Sequence, residues 1–347
     1  MRKSTGLRKL LLPLVPAYRL ALWLREVRLG TRLEPVRRLH FPVVSIGNLS
    51  TGGAGKTPLA IALAKALAQR GFQVDVLSRG YGRRGQLPVR VAPDGTAEEF
   101  GDEPLLIARE AGVPVYVAGQ RYDAGLLAEA GAQRTAGEDR RPRIHLLDDG
   151  FQHRQLARDV DILLMNRQDW QDGLLPAGNL REPLRAARRA TVIAIPASDE
   201  DPDSAPELEA ALRTWGFEGP VWRLQRRMEV PAIDGPVVAL CGIARPEQFF
   251  AGLEAAGLHL AARIAFPDHH RYAADDLDRL VSSARASGAT ALITTEKDLV
   301  RLGKLSAAFP ESLPLLTACL RIEIEHEREG IGWLVGRLKP VPAHRPL

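Results

Sequence analysis

A glycine-rich loop between an apolar strand and a helix is the feature that most limits how this chain can fold. Residues 50–57 read Ser-Thr-Gly-Gly-Ala-Gly-Lys-Thr; they follow the apolar run 41–46 and precede Leu59, Leu63 and Leu67 at helical spacing. Backbone N–H groups can surround a phosphate only where side chains are absent, which favours glycine. The pattern predicts a strand, a phosphate-binding loop and a helix in succession, as in P-loop proteins.

Two residues of this loop carry distinct chemistry. Lys56 would place its ammonium group at the β- and γ-phosphates of a nucleotide, and Thr57 would offer its hydroxyl to Mg²⁺. The general motif has Gly where this chain has Ser50, and a plain turn between strand and helix is the alternative interpretation. We predict that the nucleotide is bound by Ser50, Thr51, Gly52, Gly53, Ala54, Gly55, Lys56 and Thr57.

Apolar runs and helix-compatible segments alternate after the loop. The runs are 73–78, 113–118, 143–147, 159–165 and 191–195, and the helical segments include 104–111 and 122–130. This alternation predicts an α/β fold of the P-loop NTPase kind, in which a largely parallel sheet carries helices on both faces. A nucleotide is then expected at the carboxyl ends of the strands.

The length of 347 residues is enough for more than one domain. We predict a core domain over 31–220 and a second, smaller α/β domain over 230–317. Segments 221–229 and 318–326 alternate apolar and polar residues, which predicts a two-stranded connector. Residues 327–347 are expected to return as a helix to the core domain.

The first 39 residues are strongly basic, with ten Lys and Arg against Glu26 and Glu34. Their apolar stretches, 10–18 and 20–24, are shorter than the roughly 18–20 residues that span a bilayer. Residues 1–30 are therefore predicted to form an interfacial helix on an anionic membrane, with Tyr18 and Trp23 at the headgroup boundary. Packing on the protein's own core and nucleic-acid binding are the alternatives.

The two cysteines, Cys241 and Cys319, have no metal-ligand spacing. Together with a loop that needs nucleotide, they indicate a reducing compartment. A disulfide is not expected.

Two acidic pairs are candidates for chemistry. Asp148 and Asp149 end the apolar run 143–147, where a P-loop enzyme holds Mg²⁺, although an ordinary turn has the same composition. Asp102 and Glu103 precede a helix, so Asp102 is either an N-cap or a carboxylate that orients or deprotonates a hydroxyl.

Two adjacent histidines, His269 and His270, follow a short apolar run in the second domain. Adjacent side chains usually point apart, so metal binding by both is disfavoured. One histidine paired with a carboxylate across a cleft is the better use, and the sequence leaves open which of the two it is.

These motifs together resemble the tetraacyldisaccharide 4'-kinase family, the lipid A kinases of Gram-negative bacteria. The resemblance covers most of the chain and rests on segments 47–58, 78–81, 101–104, 148–153, 175–178, 180–183, 266–270 and 295–298. Ser50 is the form usual in that family.

The resemblance implies ATP- and Mg²⁺-dependent phosphorylation of the 4'-hydroxyl of a tetraacylated glucosamine disaccharide 1-phosphate. It places the enzyme at the cytoplasmic face of the bacterial inner membrane, peripherally, with no nucleic-acid partner. It implies catalytic roles for Asp102, His269, Lys56 and Asp149, and metal binding by Thr57, Asp148 and Asp149. The substrate-binding residues it implies are Arg79, Tyr81, Glu103, Gln152, His153, Arg181 and Glu182.

A nucleotide-dependent switch of the ParA-like or metal-insertion type is the competing class. Such proteins commonly carry a signature Lys where this chain has Thr51, which counts against this class. Residues 166–169, Asn-Arg-Gln-Asp, loosely resemble a guanine-reading motif, but Arg167 replaces its Lys. GTP specificity is therefore disfavoured.

Overall fold

The computed structural model of the protein describes residues 8, 10–31, 33–52, 55–135, 141–197 and 204–338. Gly53 and Ala54 of the predicted loop lie outside these residues, as do 1–7 and 339–347 of the predicted terminal segments. The helices are α1 (Val15–Gly30), α2 (Lys56–Gln69), α3 (Ala97–Phe100), α4 (Asp102–Ala111), α5 (Arg121–Thr135), α6 (Ser204–Thr214), α7 (Pro246–Ala255), α8 (Ala274–Ser287), α9 (Glu296–Leu302) and α10 (Glu327–Arg337).

The strands are β1 (Val43–Asn48), β2 (Gln73–Ser78), β3 (Val89–Arg90), β4 (Val115–Val117), β5 (Arg143–Leu147), β6 (Val160–Leu164), β7 (Val192–Pro196), β8 (Val221–Glu229), β9 (Val237–Cys241), β10 (Leu260–Ala265), β11 (Ala291–Thr295) and β12 (Leu315–Ile324). They form one twelve-stranded sheet in the order β10-β9-β11-β12-β8-β7-β6-β1-β5-β2-β4-β3.

Most neighbouring strands in the sheet are parallel. β1 pairs in parallel with β5 on one side and β6 on the other, whereas β3 with β4 and β8 with β12 are antiparallel. Every residue of β1 and β6 is buried, as expected of strands covered by helices on both faces. The α/β fold predicted from the sequence, with its largely parallel sheet, is confirmed.

Helix α2 covers the sheet beside β1. Its residues Leu59, Leu63 and Leu67 are fully buried in a cluster with Ile46 of β1 and Ile162 of β6. The helical spacing seen in the sequence is thus the spacing of the face that packs on the sheet. This packing fixes where the amino end of α2, and with it Lys56, lies relative to the carboxyl end of β1.

The sheet passes without interruption from the N-terminal part of the chain into the C-terminal part. β8 continues the sheet in parallel with β7, β12 pairs with β8 in antiparallel register, and β11 continues in parallel with β12. Apolar side chains on the two faces of β9 and β11 form clusters of their own with residues of α7 and α8. The domain boundaries predicted from the sequence stay a prediction.

Helix α1 has two different apolar faces. The inner face, Val15, Tyr18, Leu22 and Leu29, packs against the protein. The outer face is solvent-exposed: Leu20, Trp23, Leu24 and Val27 are 56%, 59%, 48% and 39% exposed. Tyr18 therefore does not lie at a headgroup boundary as predicted, because its three- and four-residue spacing from Val15 and Leu22 puts it on the inner face.

The described helices include none that is both long and apolar enough to cross a membrane.

Candidate active site

The phosphate loop begins where β1 ends. Ser50 is buried, its hydroxyl lies 3.3 Å from Asn48 Nδ2, and the Thr51 N–H donates to the carbonyl of Asn179 at 2.8 Å. Gly55 has a φ of +93°, and a Cβ there would lie 3.2 Å from Ile322 Cδ1 and 3.3 Å from the Arg226 guanidinium. The left-handed backbone conformation favours glycine at this position, and a Cβ would also require these two side-chain ends to shift slightly.

Lys56 lies at the first turn of α2 and is almost completely buried. Its Nζ is 3.0 Å from Asn48 Oδ1 and 3.5 Å from Asp149 Oδ1. Burial alone would raise the pKa of Asp149, but the charges of Lys56 and Arg181 act more strongly together, and the pKa is lowered. The Lys56 ammonium is thus held at the loop between an amide oxygen and a carboxylate.

The two carboxylates after β5 lie in opposite environments. Asp148 is buried; Ser78 donates to its Oδ2 at 3.3 Å, and among the described residues its Oδ1 has no hydrogen-bond partner. Burial, reinforced by the negative charges of Glu103 and Asp149, raises the pKa of Asp148 to about 7. A buried carboxylate surrounded by other acids is stabilised by a cation placed against it.

Asp149 adopts a left-handed backbone conformation with a φ of +46°. Arg181 Nη1 is 3.0 Å from Asp149 Oδ2, and Arg121 Nη2 donates to the Asp149 carbonyl at 3.2 Å. Gln152 joins the same cluster, because its Oε1 accepts from Arg181 at 3.2 Å and its Nε2 donates to the Asn48 carbonyl at 2.8 Å. These contacts bring the ends of β1 and β5 together beside Lys56.

Asp102 lies at the start of α4, and its carboxylate accepts hydrogen bonds from two side chains of the second half of the chain. Its Oδ2 is 3.0 Å from His269 Nδ1 and 2.7 Å from Arg301 Nε. Burial would raise the pKa of Asp102, but the His269 hydrogen bond and the Arg301 charge hold it well below its usual range. Gly101 occupies the N-cap position of α4, but the Asp102 Oδ1 also accepts the Glu103 N–H at 3.0 Å, so this carboxylate bonds the first turn of the helix as well as His269 and Arg301.

The two adjacent histidines do point apart. His269 faces Asp102, whose hydrogen bond raises the pKa of the imidazole, and it has a φ of +58°. His270 instead contacts Asp276 at 2.9 Å and stacks on Phe266. The structure therefore pairs His269, and not His270, with the carboxylate of the N-terminal half.

Helix α9 orients Arg301 towards Asp102. Asp298, one turn earlier, is fully buried and accepts from Arg301 Nη1, Tyr272 Oη, Thr295 Oγ1 and the Gly242 N–H. Lys297 of the same helix forms an ion pair with Glu103 at 2.5 Å. Two cations of α9 thus contact the two acids that begin α4.

The remaining predicted substrate residues differ in accessibility. Arg79 is exposed, and the exposed Tyr81 ring lies 5.3 Å from the His269 ring. Burial, followed by the charge of Arg121, lowers the pKa of His153 to about 4, so this imidazole is neutral at pH 7. Glu182 is buried in an ion pair with Arg189 at 2.7 Å, a contact within the protein.

Three residues of the site were not singled out from the sequence. Arg301 follows Lys297 by four residues, so the helical period places both on one face of α9, a signal that could have found it. Asn48 ends the strand before the loop, inside the segment 47–58, but its type alone suggested no role. Arg121 stands alone in a loop-to-helix junction, and nothing in the sequence points to it.

The chain is similar to known kinases over most of its length. The family model for LpxK, tetraacyldisaccharide-1-P 4'-kinase, matches residues 7–338. A tetraacyldisaccharide 4'-kinase of Koribacter versatilis is 43% identical over 291 residues, 81% of this chain and 85% of that protein. One of Anaeromyxobacter dehalogenans is 41% identical over 314 residues, 84% of this chain and 80% of that protein.

A solved structure shares the fold. The crystal structure of LpxK from Aquifex aeolicus in complex with ATP is 28% identical to this chain and matches with a TM-score of 0.71. The match covers 96% of this chain and 100% of that one.

Proposed function

The chain belongs to the tetraacyldisaccharide 4'-kinase family, and from this premise we propose how its own residues bind the two substrates and transfer the phosphoryl group. The enzyme is an ATP-dependent kinase of lipid A biosynthesis that phosphorylates the 4'-hydroxyl of a tetraacylated glucosamine disaccharide 1-phosphate. A nucleotide-dependent switch is not favoured.

The nucleotide phosphates are bound at the amino end of α2. The Gly-rich loop offers backbone N–H groups, the helix dipole favours negative charge there, and Lys56 adds a buried cation. Arg181 and Arg121, held at Asp149, add positive charge on the opposite side. In phosphoryl transfer, catalysis is mainly positioning and stabilisation of charge, which this arrangement supports.

The residues beside Lys56 fit Mg²⁺ shared with the nucleotide. Asp148 has a buried oxygen without a partner among the described residues, and Thr57 is buried at the start of α2. In the described part of the chain, no group of three or more His, Cys, Asp or Glu could hold a metal alone. Mg²⁺ is usually held by one or two carboxylates and by substrate phosphates.

We assign Mg²⁺ to Thr57 and Asp148, with Asp149 assisting. When bound, the ion neutralises charge on the phosphate oxygens.

The acceptor hydroxyl is oriented and deprotonated by Asp102 with His269. The observation that carries this assignment is the convergence of His269 and Arg301 on a single buried carboxylate oxygen, Asp102 Oδ2. Because its pKa is held low, Asp102 stays ionised and ready to accept the hydrogen bond of the 4'-hydroxyl. As the hydroxyl oxygen bonds to the γ-phosphorus, the bond from that phosphorus to the bridging oxygen of ADP breaks, and the hydroxyl proton passes to the Asp102–His269 pair.

We assign the lipid disaccharide to the surface beside Tyr81, whose ring lies 5.3 Å from the His269 ring, and we assign the exposed Arg79 to the same substrate. Tyr81 is largely exposed beside His269, so its ring is available to a sugar or an acyl chain. We assign Glu103, Gln152, His153 and Arg181 to the same substrate, whereas the ion pair of Glu182 with Arg189 suits a supporting role.

The outer face of α1 docks the enzyme on an anionic membrane surface. Leu20, Trp23, Leu24 and Val27 expose apolar area on one side of the helix, and Arg19 and Arg28 flank it. Apolar insertion and attraction to anionic lipid act together in such helices. The cytoplasmic face of the inner membrane, where ATP is present, is the location that this assignment requires.

The transfer itself is tested with γ-labelled ATP and the lipid disaccharide 1-phosphate in detergent micelles. Label in the lipid supports the assignment, and Asp102→Asn should abolish nearly all of it. Hydrolysis of ATP that is independent of the lipid, with no labelled lipid, would contradict the proposal.

Membrane docking is tested with the variant Leu20→Ser/Trp23→Ser/Leu24→Ser. Its co-sedimentation with anionic vesicles should fall sharply, and wild-type binding should weaken with salt. Leu87→Ser is the matched control, because Leu87 is 82% exposed and lies far along the chain from α1. Equal vesicle binding by the triple variant and the control would place the membrane surface elsewhere.

A further inference from the structure

The inner face of α1 contacts two residues of the active site through their main chains. Tyr18 Oη donates to the carbonyl of Arg181 at 2.8 Å, and the Arg25 guanidinium donates to the carbonyl of Gln152. The side chains of these two residues contact each other, and Arg181 also contacts Asp149: Arg181 Nη1 is 3.2 Å from Gln152 Oε1 and 3.0 Å from Asp149 Oδ2. A single residue, Arg181, thus links helix α1 to the Asp149 carboxylate beside Lys56.

The same two segments also hold the start of the phosphate loop. The Arg181 N–H donates to the Leu49 carbonyl at 2.7 Å, and the Asn179 carbonyl accepts from the Thr51 N–H at 2.8 Å. Gln152 Nε2 donates to the Asn48 carbonyl at 2.8 Å. A displacement of either segment would therefore move both Arg181 and the loop that binds the phosphates.

Further contacts surround these two hydrogen bonds. Arg8, just before α1, donates to Asn179 Oδ1 at 2.5 Å, and Glu26 forms an ion pair with Arg154. Tyr18 is half-buried and packs with Leu22 against an apolar cluster that includes Leu180. The ring and hydroxyl of Tyr18 contact the segment that carries Arg181. The contacts of Arg8 and Glu26 add to the hold on the segments that carry Arg181 and Gln152.

We propose that Tyr18 and Arg25 are positioning residues for phosphoryl transfer, which hold the Arg181 side chain in the geometry in which it contacts Asp149 and Gln152. This rests on the proposed roles of Asp149 and Arg181, and it is independent of membrane docking by the outer face. Helix α1 then has a separate task on each side: lipid contact outwards and alignment of the active site inwards.

The variant Tyr18→Phe tests the proposal, because it removes one hydrogen bond and keeps the packed ring. We expect kcat on micellar lipid at saturating ATP to fall by about 3- to 10-fold, the effect of one lost hydrogen bond in the transition state. Vesicle binding should stay unchanged, since Tyr18 is on the inner face. At Arg25, we expect kcat to fall in Arg25→Met and to recover in Arg25→Lys, because lysine keeps a hydrogen-bond donor.

Thr31→Val is the matched control. The Thr31 hydroxyl also donates to a carbonyl, that of Val27 at 2.8 Å, at the end of the same helix. Within the described chain its acceptors are carbonyls of α1 itself and not of the segments around Arg181 or Gln152. Its kcat should equal that of the wild type. An equal fall in kcat for Thr31→Val and Tyr18→Phe would indicate general weakening of the helix and overturn the proposal.

A double variant separates positioning from any other role. The acceptor of Tyr18 is a backbone carbonyl, which survives Arg181→Ala, so the hydrogen bond itself remains in that background. If Tyr18 acts through the Arg181 side chain, Tyr18→Phe should cost little more there. A full additional fall in the Arg181→Ala background, or wild-type kcat for Tyr18→Phe alone, would overturn the proposal. Failure of the wild type to label the lipid at all would instead refute the proposed function.

Discussion

Replacing Asp102 with Asn is the most direct perturbation of the proposed catalytic pair. The change keeps the size of the side chain and one acceptor oxygen, but it removes the negative charge on which His269 and Arg301 converge. Hydrogen bonds to a charged group contribute about 1.5–3 kcal/mol each, and Asn keeps neutral versions of them. We therefore expect the free energy of unfolding to fall by about 2 kcal/mol, with the fold retained.

The effect on turnover should be much larger. A positioned base contributes about 10²- to 10⁴-fold to rate, so kcat should fall by that factor. The dissociation constant for ATP should not change, because among the described residues Asp102 forms no hydrogen bond or ion pair with residues 48–57. Transfer of label to micellar lipid and equilibrium binding of a labelled nucleotide measure the two quantities.

The dependence of kcat/KM on pH gives an independent test. The hydrogen bond that His269 donates to Asp102 raises the pKa of His269, so the imidazole stays charged to a higher pH than an isolated histidine of pKa about 6.5. If the pair must accept a proton, wild-type activity should rise with pH through this elevated pKa. Asp102→Asn removes the carboxylate that raises the pKa of His269. The remaining kcat/KM of this variant should therefore rise at a lower pH than that of the wild type.

Two results would refute this reasoning. Retention of more than a third of wild-type kcat by Asp102→Asn would show that the carboxylate does not take part in the transfer. A ten-fold or greater loss of ATP affinity, without loss of kcat on saturation, would show that Asp102 serves the nucleotide site instead.

Three other perturbations follow from the structure. Lys56→Ala should lower kcat by about 10²- to 10³-fold, because it removes a preorganised cation at the phosphates; a kcat above a third of wild type would contradict the loop assignment. Asp148→Asn should raise the Mg²⁺ concentration needed for half-maximal activity, and an unchanged Mg²⁺ titration would contradict metal binding there. His145 is buried between Asp75 and Glu129; burial lowers its pKa, but the two carboxylates outweigh burial and raise it. The contribution of His145 to stability is therefore complete below about pH 6.5 and declines as pH rises through the elevated pKa. In urea denaturation, the difference in free energy of unfolding between wild type and His145→Gln should shrink with rising pH. A difference that grows with pH would contradict the ion pairs.

The elements that sequence could predict are those with a local cause. The strand before Ser50 and the helix that buries Leu59, Leu63 and Leu67 depend on neighbours in sequence, and the structure has a strand at Val43–Asn48 and a helix at Lys56–Gln69. The orientation of Tyr18 was predicted wrongly although its cause is also local. The spacing of Val15, Tyr18 and Leu22 indicates an inner face. The aromatic ring of Tyr18, taken alone, instead favours a position at a membrane boundary.

The parts of the site that sequence could not predict depend on contacts between distant segments. Asp102 meets Arg301 across 199 positions of the chain, and Arg121, at the start of the helix after β4, meets Asp149 after β5 although β2 lies between these two strands in the sheet. The ambiguity between His269 and His270 was likewise resolved only by which side chain faces α4. Long-range pairing is decided by the order of strands in the sheet, which local patterns do not encode.

The separation in sequence between the partners of Asp102 has a consequence for synthesis of the enzyme. The phosphate loop and both acids after β5 are translated before residue 150, whereas His269 and Arg301 emerge more than a hundred residues later. A nascent or truncated chain that ends before residue 269 contains the entire Gly-rich loop but neither of the side chains that contact Asp102 from the second half of the chain. Translation must therefore pass residue 301 before the hydrogen-bonded cluster around Asp102, to which we assign the acceptor hydroxyl, can be assembled.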